Sequence, residues 1–146
     1  MLLSNTQEID TLSWHDKAGN YVGMSYSIHH DKKLLILYLA LEEISRNKGY
    51  GTKIIKYLQE KDAIEETVLD IESPLQESEN KAQRQRRQKF YERQGFHSTG
   101  YQILEHDCNY LIMGNLHAPE ESVKTYVELT DIISKGLCRL KIEKAV

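Results

Sequence analysis

Arg46-Asn47-Lys48-Gly49-Tyr50-Gly51-Thr52 follows an apolar run, Leu34 to Leu41, and precedes the amphipathic segment Lys53-Ile54-Ile55-Lys56-Tyr57-Leu58. The order reads as a buried strand, a short polar loop, two close glycines and then a helix. A helix start carries unpaired backbone N–H groups and the positive end of the helix dipole, and both suit a phosphate or pyrophosphate. Glycines let the backbone approach such an anion with no Cβ in the way. The stretch therefore predicts a site for a phosphorylated cofactor. Two common versions of such a site do not match. A nucleotide P-loop needs Gly-Lys-Ser/Thr, whereas Gly51 is followed by Thr52-Lys53, and a dinucleotide loop needs a third glycine where Ile54 stands. Taken alone, Gly-x-Gly before a helix is also what a tight strand-to-helix turn requires.

Upstream of the loop, Thr11 to His15 reads as a strand and Asp16-Lys17-Ala18-Gly19-Asn20 as a hairpin turn. Val22, Met24, Tyr26 and Ile28 alternate with Gly23, Ser25 and Ser27, the period of a half-buried strand. His29-His30-Asp31-Lys32-Lys33 reads as a second polar turn, with no partner for the histidines at metal-ligand spacing. Leu34 to Leu41 is apolar on both faces, which predicts a central strand. Downstream, Ile54, Ile55 and Leu58 form one helical face. Thr67 to Ile71 is a short strand, so a strand–helix–strand unit with a parallel, right-handed crossover is expected. Pro74 ends that strand. Glu77 to Gln94 reads as a long polar helix capped by Gly95, with Ala82, Arg86 and Phe90 on one face. Tyr101 to Glu105 and Tyr110 to Met113 look like two more strands. Pro119 suits the first turn of a helix whose apolar stripe runs from Val123 to Ile133. Residues 137–146 read equally well as a strand or a frayed helix. The fold class expected is α+β, a central mixed, mostly antiparallel sheet flanked by helices, with an extra C-terminal helix.

At 146 residues the chain is long enough for one domain with its own core. A net charge of −3 argues against nucleic acid as the main partner. The basic run Lys81, Arg84, Arg86, Arg87, Lys89 and Arg93 reads as a solvated helix face balanced by Glu77, Glu79 and Glu92. Cys108 and Cys138 match no zinc or redox spacing, and are expected to be reduced residues of a cytoplasmic protein. No signal peptide and no membrane-spanning run are read from the sequence. No metal is expected.

Two elements together carry a resemblance. Arg46-x-x-Gly49-x-Gly51 resembles the Arg/Gln-x-x-Gly-x-Gly/Ala signature of the GNAT superfamily of acyl-CoA-dependent N-acyltransferases. Phe90-Tyr91-Glu92-Arg93-Gln94-Gly95-Phe96 resembles that family's Phe/Leu-Tyr-x-x-x-Gly-Phe element. They stand in the right order with a helix and a strand between them, and the resemblance spans a core of about residues 11–114, with 119–146 as a helical extension.

The resemblance implies that the backbone of Arg46, Asn47, Lys48, Gly49, Tyr50, Gly51 and Thr52 holds the pyrophosphate of acetyl-CoA. It implies that the strand end at Leu39, Ala40 and Leu41 splays away from the Thr67–Ile71 strand. Pantetheine then pairs with the exposed edge, and an N–H near Leu41 polarises the thioester carbonyl. It implies that Tyr91 is the general acid for the departing thiolate, and that the acetyl group passes directly to a primary amine without a covalent enzyme intermediate. A carboxylate must take the amine's proton. Glu72, just past a strand, is the first choice, with Glu42 and Glu43 as alternatives.

The chain departs from the family pattern at its start. About ten residues precede Thr11, where members usually carry a strand and two helices that wall the acceptor site. The helix from Glu120 to Lys135 is expected to cover the bare sheet instead, within the chain or in a partner copy, so a homodimer is one of two arrangements. Glu43 replaces a common proline, and Asn80 is not equated with the asparagine often found in the family's link. Two readings follow: an N-acetyltransferase acting on an amine acceptor, or a non-catalytic acyl-CoA-binding or regulatory protein on the same fold.

Overall fold

The computed structural model describes residues 8–134 and 141–145. The chain divides into two compact units, Met1–Thr67 and Val68–Val146. The fold class is α+β, with seven strands and three α-helices among the described residues.

The first unit is an antiparallel meander, β1 (Ile9–His15), β2 (Tyr21–His30) and β3 (Lys33–Leu41), followed by helix α1 (Tyr50–Lys61). The first turn forms as expected, because the Asp16 carboxylate accepts from the N–H groups of Ala18 and Asn20, both at 2.9 Å. The second turn is tighter than expected. His29 and His30 belong to β2, and the turn is only Asp31-Lys32, both at positive φ (55° and 64°). Positive φ at both central positions matches the twist of a two-residue hairpin, so the ladder runs on to His30 opposite Lys33.

Burial along β2 also differs from the alternation expected. Ser25 and Ser27 are fully buried while Met24 and Tyr26 are half-buried. Trp14 on β1 accounts for Ser25, since its Nε1 donates to Ser25 Oγ at 2.9 Å, whereas Ser27 Oγ is buried with no hydrogen-bond partner among the described residues. On β3 only Leu34, Leu35 and Ile36 are fully buried, Leu39 to Leu41 are half-buried and Tyr38 is exposed. The expectation of two covered faces therefore holds for the first half of the run alone. A bulge separates the halves: Tyr26 faces Tyr38 and Ser27 faces Ile36, leaving Leu37 as the extra residue. Ile54, Ile55 and Leu58 form the buried stripe of α1, and this helix packs on β3.

In the second unit the strand order is β4 (Glu66–Glu72), β6 (Asn109–Gly114), β5 (His97–Leu104), β7 (Ile142–Lys144), and neighbours are antiparallel. The end of the chain is thus a strand over residues 142–144, while Gly136 and Cys138 lie outside the described residues. Strand β5 starts earlier than Tyr101 because a bulge interrupts it. Residues 99–101 stand against Ile112 alone, with Gly100 at φ 78°. The Thr99 hydroxyl closes the gap by donating to the Ile112 carbonyl at 2.8 Å and accepting from the Tyr101 N–H at 3.1 Å.

Helix α2 (Lys81–Arg93) is shorter than the Glu77–Gln94 expected. The preceding turn is held by Gln76, whose Oε1 accepts from the Asn109 N–H at 2.9 Å, so residues 77–80 are drawn off the helical path. Its inward residues are Arg84 and Tyr91, not the Ala82–Arg86–Phe90 stripe. Helix α3 (Pro119–Ser134) lies on β5 and β6 within the same chain. It approaches so closely that a Cβ on Gly114 would sit 2.4 Å from Ser122 Oγ.

Candidate active site

Helix α1 begins on Gly49, which sits at φ 82°, ψ 5° as the residue before the first turn. Nothing lies within 4 Å of where its Cβ would be, so the left-handed backbone, not crowding, requires glycine here. No side chain caps this end, and the first turn contains no acid. The N–H groups of Tyr50, Gly51 and Thr52, which no helical carbonyl can reach, therefore point out of the helix under a positive dipole. Arg46, Asn47 and Lys48 are exposed beside them. A short 3-10 turn over Glu43–Ser45 joins this loop to β3, and Arg46 Nε donates weakly back to the Leu41 carbonyl at 3.4 Å. Asn47 is also left-handed, at φ 63°. These are the features an anionic ligand needs: open donors, no competing carboxylate in the helix start, and neighbouring cations.

The end of β3 is set by Gly23 across the ladder. A Cβ on Gly23 would stand 2.3 Å from the Ala40 carbonyl oxygen and 2.9 Å from the Leu41 side chain. Only glycine lets β2 hold Ala40 and Leu41 in this position.

Tyr91 lies in the last turn of α2, and its place is fixed by how that helix ends. Gly95 takes φ 93°. The Phe96 N–H donates to the Tyr91 carbonyl at 3.1 Å and the Gly95 N–H to the Glu92 carbonyl at 3.0 Å. This is a Schellman cap, and the apolar contact that accompanies one is present: the Tyr91 and Phe96 rings meet edge to face at 5.8 Å. The Tyr-x-x-x-Gly-Phe spacing is thus the spacing of the cap itself. Tyr91 is buried, and burial pushes its phenol from 10.0 up to about 12, against the opposing charge of Arg87 and with a further push from Asp70. It keeps its proton throughout the ordinary pH range.

Glu72 closes β4 and is half-buried. Its Oε2 accepts from Arg84 Nη2 at 3.1 Å and from the Cys108 thiol at 3.7 Å. Arg84, expected in a solvated row of cations, is instead buried, and also donates to Asn80 Oδ1 at 2.8 Å, the Ser73 carbonyl at 3.2 Å and Gln76 Oε1 at 3.3 Å. A guanidinium taken out of water needs this set of acceptors. Glu42 and Glu43 are exposed beside the glycine loop. Cys108 is a free thiol whose ionisation is pushed up, mainly by burial.

One carboxylate was missed by sequence reasoning. Asp70, on β4, accepts a hydrogen bond from the Tyr126 hydroxyl of α3, and burial raises its pKa against that bond. The signal was present, since Asp70 is the lone acid in the apolar strand Thr67–Ile71. His29 also has neighbours that spacing could not show. Its Nε2 lies 3.8 Å from Asp10 Oδ2 and 3.5 Å from Asp62 Oδ2. The three residues bring possible metal-ligand atoms within 4.8 Å of one another. Lys61, however, already places its ammonium 2.6 Å from Asp10 and in contact with Asp62. Burial lowers the Lys61 pKa, but its bonds to the two aspartates outweigh that and leave it raised.

No helix among the described residues is long and apolar enough to cross a membrane. No curated protein sequence matches the chain. Solved structures share its fold. An aminoglycoside 6'-N-acetyltransferase complexed with coenzyme A superposes with a TM-score of 0.56 at 19% identity, over 73% of this chain and 72% of that one. A PaiA N-acetyltransferase from Thermoplasma acidophilum, also complexed with coenzyme A, gives 0.53 at 18% identity over 80% and 67%. An acetyltransferase from Bacillus cereus gives 0.53 at 19% identity over 73% and 71%. A family model for the GNAT acetyltransferase domain matches residues 10–98, more than half of the sequence and including both glycine elements, and the chain therefore belongs to the GNAT acetyltransferase family.

Proposed function

We propose that the protein is an N-acetyltransferase that takes the acetyl group from acetyl-CoA and passes it directly to a primary amine. The observation that carries this reading is the start of α1: a left-handed Gly49, no cap, no acid in the first turn, and Arg46 and Lys48 exposed alongside. Such an end fits a pyrophosphate, and two relatives of the same fold are complexed with coenzyme A. In this reading the backbone from Arg46 to Thr52 holds the pyrophosphate, and Leu39, Ala40 and Leu41 offer backbone groups to the pantetheine arm.

Moving an acetyl group from sulfur to nitrogen takes one proton from the amine and gives one to the thiolate. Tyr91 is the proposed donor. Its raised pKa makes it a poor acid towards a free thiol of ordinary pKa, about 8.5, so its contribution is a hydrogen bond to the thiolate with transfer completed as that anion is desolvated. Glu72 is the proposed acceptor of the amine's proton, through water, since Arg84 occupies its Oε2.

Two observations favour a second reading, binding of the acyl-CoA without turnover. Protonating Glu72 would leave the buried Arg84 guanidinium short of its partner, and Tyr91 is enclosed by Phe90 and Phe96. Calorimetric titration with acetyl-CoA, followed by thiol release across a panel of a polyamine, an aminoglycoside and a peptide α-amine, separates the readings. Binding with turnover that falls about tenfold or more in Tyr91→Phe supports the enzyme, with the missing donor as the cause. Binding without release from any amine supports the second reading. No binding removes both.

A further inference from the structure

The first unit contains a cavity of about 600 Å³ beside the glycine loop, and Tyr50 belongs to both. This is in the range of small-molecule sites, roughly 300–1,000 Å³. One wall is a stripe of α1, Tyr50, Lys53 and Tyr57, spaced so that all three face the same way. The other is the end of β1 and the turn after it, Trp14, Asp16 and Lys17.

The aromatic walls are held in place. Trp14 is tied to Ser25 Oγ through its indole N–H and meets Tyr57 edge to face at 5.3 Å between centroids. A ligand therefore need not order them, which removes one cost of binding. The charges at the rim are not balanced. Asp16 turns its carboxylate oxygens to the N–H groups of Ala18 and Asn20 and to the Asn20 side chain, neutral donors that leave its charge in place, so the rim carries two ammonium groups against one carboxylate. Lys53 holds its ammonium 5.9 Å from the Tyr50 ring, and neither Lys53 nor Lys17 has a carboxylate partner among the described residues. An apolar aromatic floor under two unspent cations is complementary to a molecule with a flat apolar body and a negative end.

We infer that this cavity is a second small-molecule site, specific for aromatic carboxylates, with the ring against Trp14 and Tyr57 and the carboxylate against Lys53 and Lys17. The cavity adjoins the glycine loop at Tyr50, and the probes are used without coenzyme A so that failure of this inference and failure of the acetyl-CoA reading are seen separately.

Trp14 is the only tryptophan in the sequence, so it reports occupancy directly. The probes are 3-phenylpropanoate, the alcohol 3-phenylpropan-1-ol and 3-phenylpropylamine, titrated into the full-length protein without coenzyme A while tryptophan emission and heat are followed. Saturable binding of the carboxylate is expected, about tenfold tighter than the alcohol and tighter still than the amine, as one charge-assisted contact would give. Lys53→Gln should erase the preference for the carboxylate, and Tyr57→Ala should weaken carboxylate and alcohol together. Lys53, Lys17 and Tyr57 are exposed, so these variants should fold, which circular dichroism checks; should Tyr57→Ala misfold, Lys53→Gln and Lys17→Gln carry the test. The inference is overturned by linear, non-saturating change in emission up to about millimolar probe, by an amine that binds as well as the acid, or by carboxylate binding untouched by Lys53→Gln, which would place the probe elsewhere.

Discussion

The start of α1 and the end of α2 are built on the same device and leave the helix in opposite states, one open and one closed. Each turns on a glycine at positive φ, 82° at Gly49 and 93° at Gly95. At Gly95 the chain satisfies itself: two backbone bonds close the helix and the Tyr91 and Phe96 rings seal the contact. At Gly49 there is no capping side chain and no acid in the first turn, and the flanking residues stay in water. A helix end whose polar groups find partners in the protein is closed to a ligand, whereas one whose donors stay open leaves them to water or to a ligand.

This comparison can be broken at several points. The largest effect on stability is expected for Tyr91→Ala, which removes the aromatic seal from the closed end and leaves a cavity; about 3–5 kcal/mol should be lost in urea denaturation. The phenol itself supplies the next. The folded protein holds the Tyr91 proton more tightly than the unfolded chain, up to about 12 against 10.0. Its contribution is complete below pH 10 and is lost as pH rises towards 12, at ~1.4 kcal/mol per pH unit and ~3 kcal/mol in all. Tyr91→Phe should keep stability at neutral pH and lose this part of the alkaline decline; what remains is shared by Tyr126, Tyr110 and Cys108, raised mainly by burial, and Lys61, raised against burial by its aspartate partners.

Gly95→Ala should cost about 1–2 kcal/mol, and from the backbone alone, because the space around its Cβ is empty. The smallest stability change is the most telling. Thr52→Glu places an acid in the acid-free first turn of α1, and should add about 0.5 kcal/mol to stability by opposing the dipole. The same charge should weaken acetyl-CoA binding by about tenfold or more through like-charge repulsion. A variant that is more stable and binds less would show that the open end is kept for a ligand; unchanged affinity in calorimetry would remove the glycine loop from the proposed site.

How far the sequence could be read follows the range of the forces involved. The loop from Arg46 to Thr52 and the cap from Tyr91 to Phe96 were legible because each is decided within seven residues by glycine and the groups beside it. The Asp16 turn was legible for the same reason. The second turn was legible as a turn, but its narrowing to Asp31-Lys32 was not, since neither residue is a glycine and both stand at positive φ. Arg84 was read as solvated because its acceptors, Glu72 and the Ser73 carbonyl, come from β4 and its end, outside any helical spacing. The burial of Ser25 is not legible within β2, because nothing in that strand announces that Trp14 needs an acceptor. Asp70 offered a signal, an acid inside an apolar strand, and its partner Tyr126 lies 56 positions away.

The cluster around Lys61 bears on how α1 moves. Its ammonium joins Asp10 of β1 to Asp62, and His29 of β2 stands beside both carboxylates. A single exposed ion pair contributes little, but here several charges from separate strands meet at one helix terminus. The other terminus is held by the backbone bond from the Lys53 N–H to the Gly49 carbonyl, at 3.2 Å, with no side chain to reinforce it. The helix is mounted like a cantilever, clamped at its tail and free at its head. Amide exchange with solvent should therefore be graded along twelve residues, slow in the last turn and fast in the first. A ligand that grips the head would even out the gradient while the clamped tail stayed as it was.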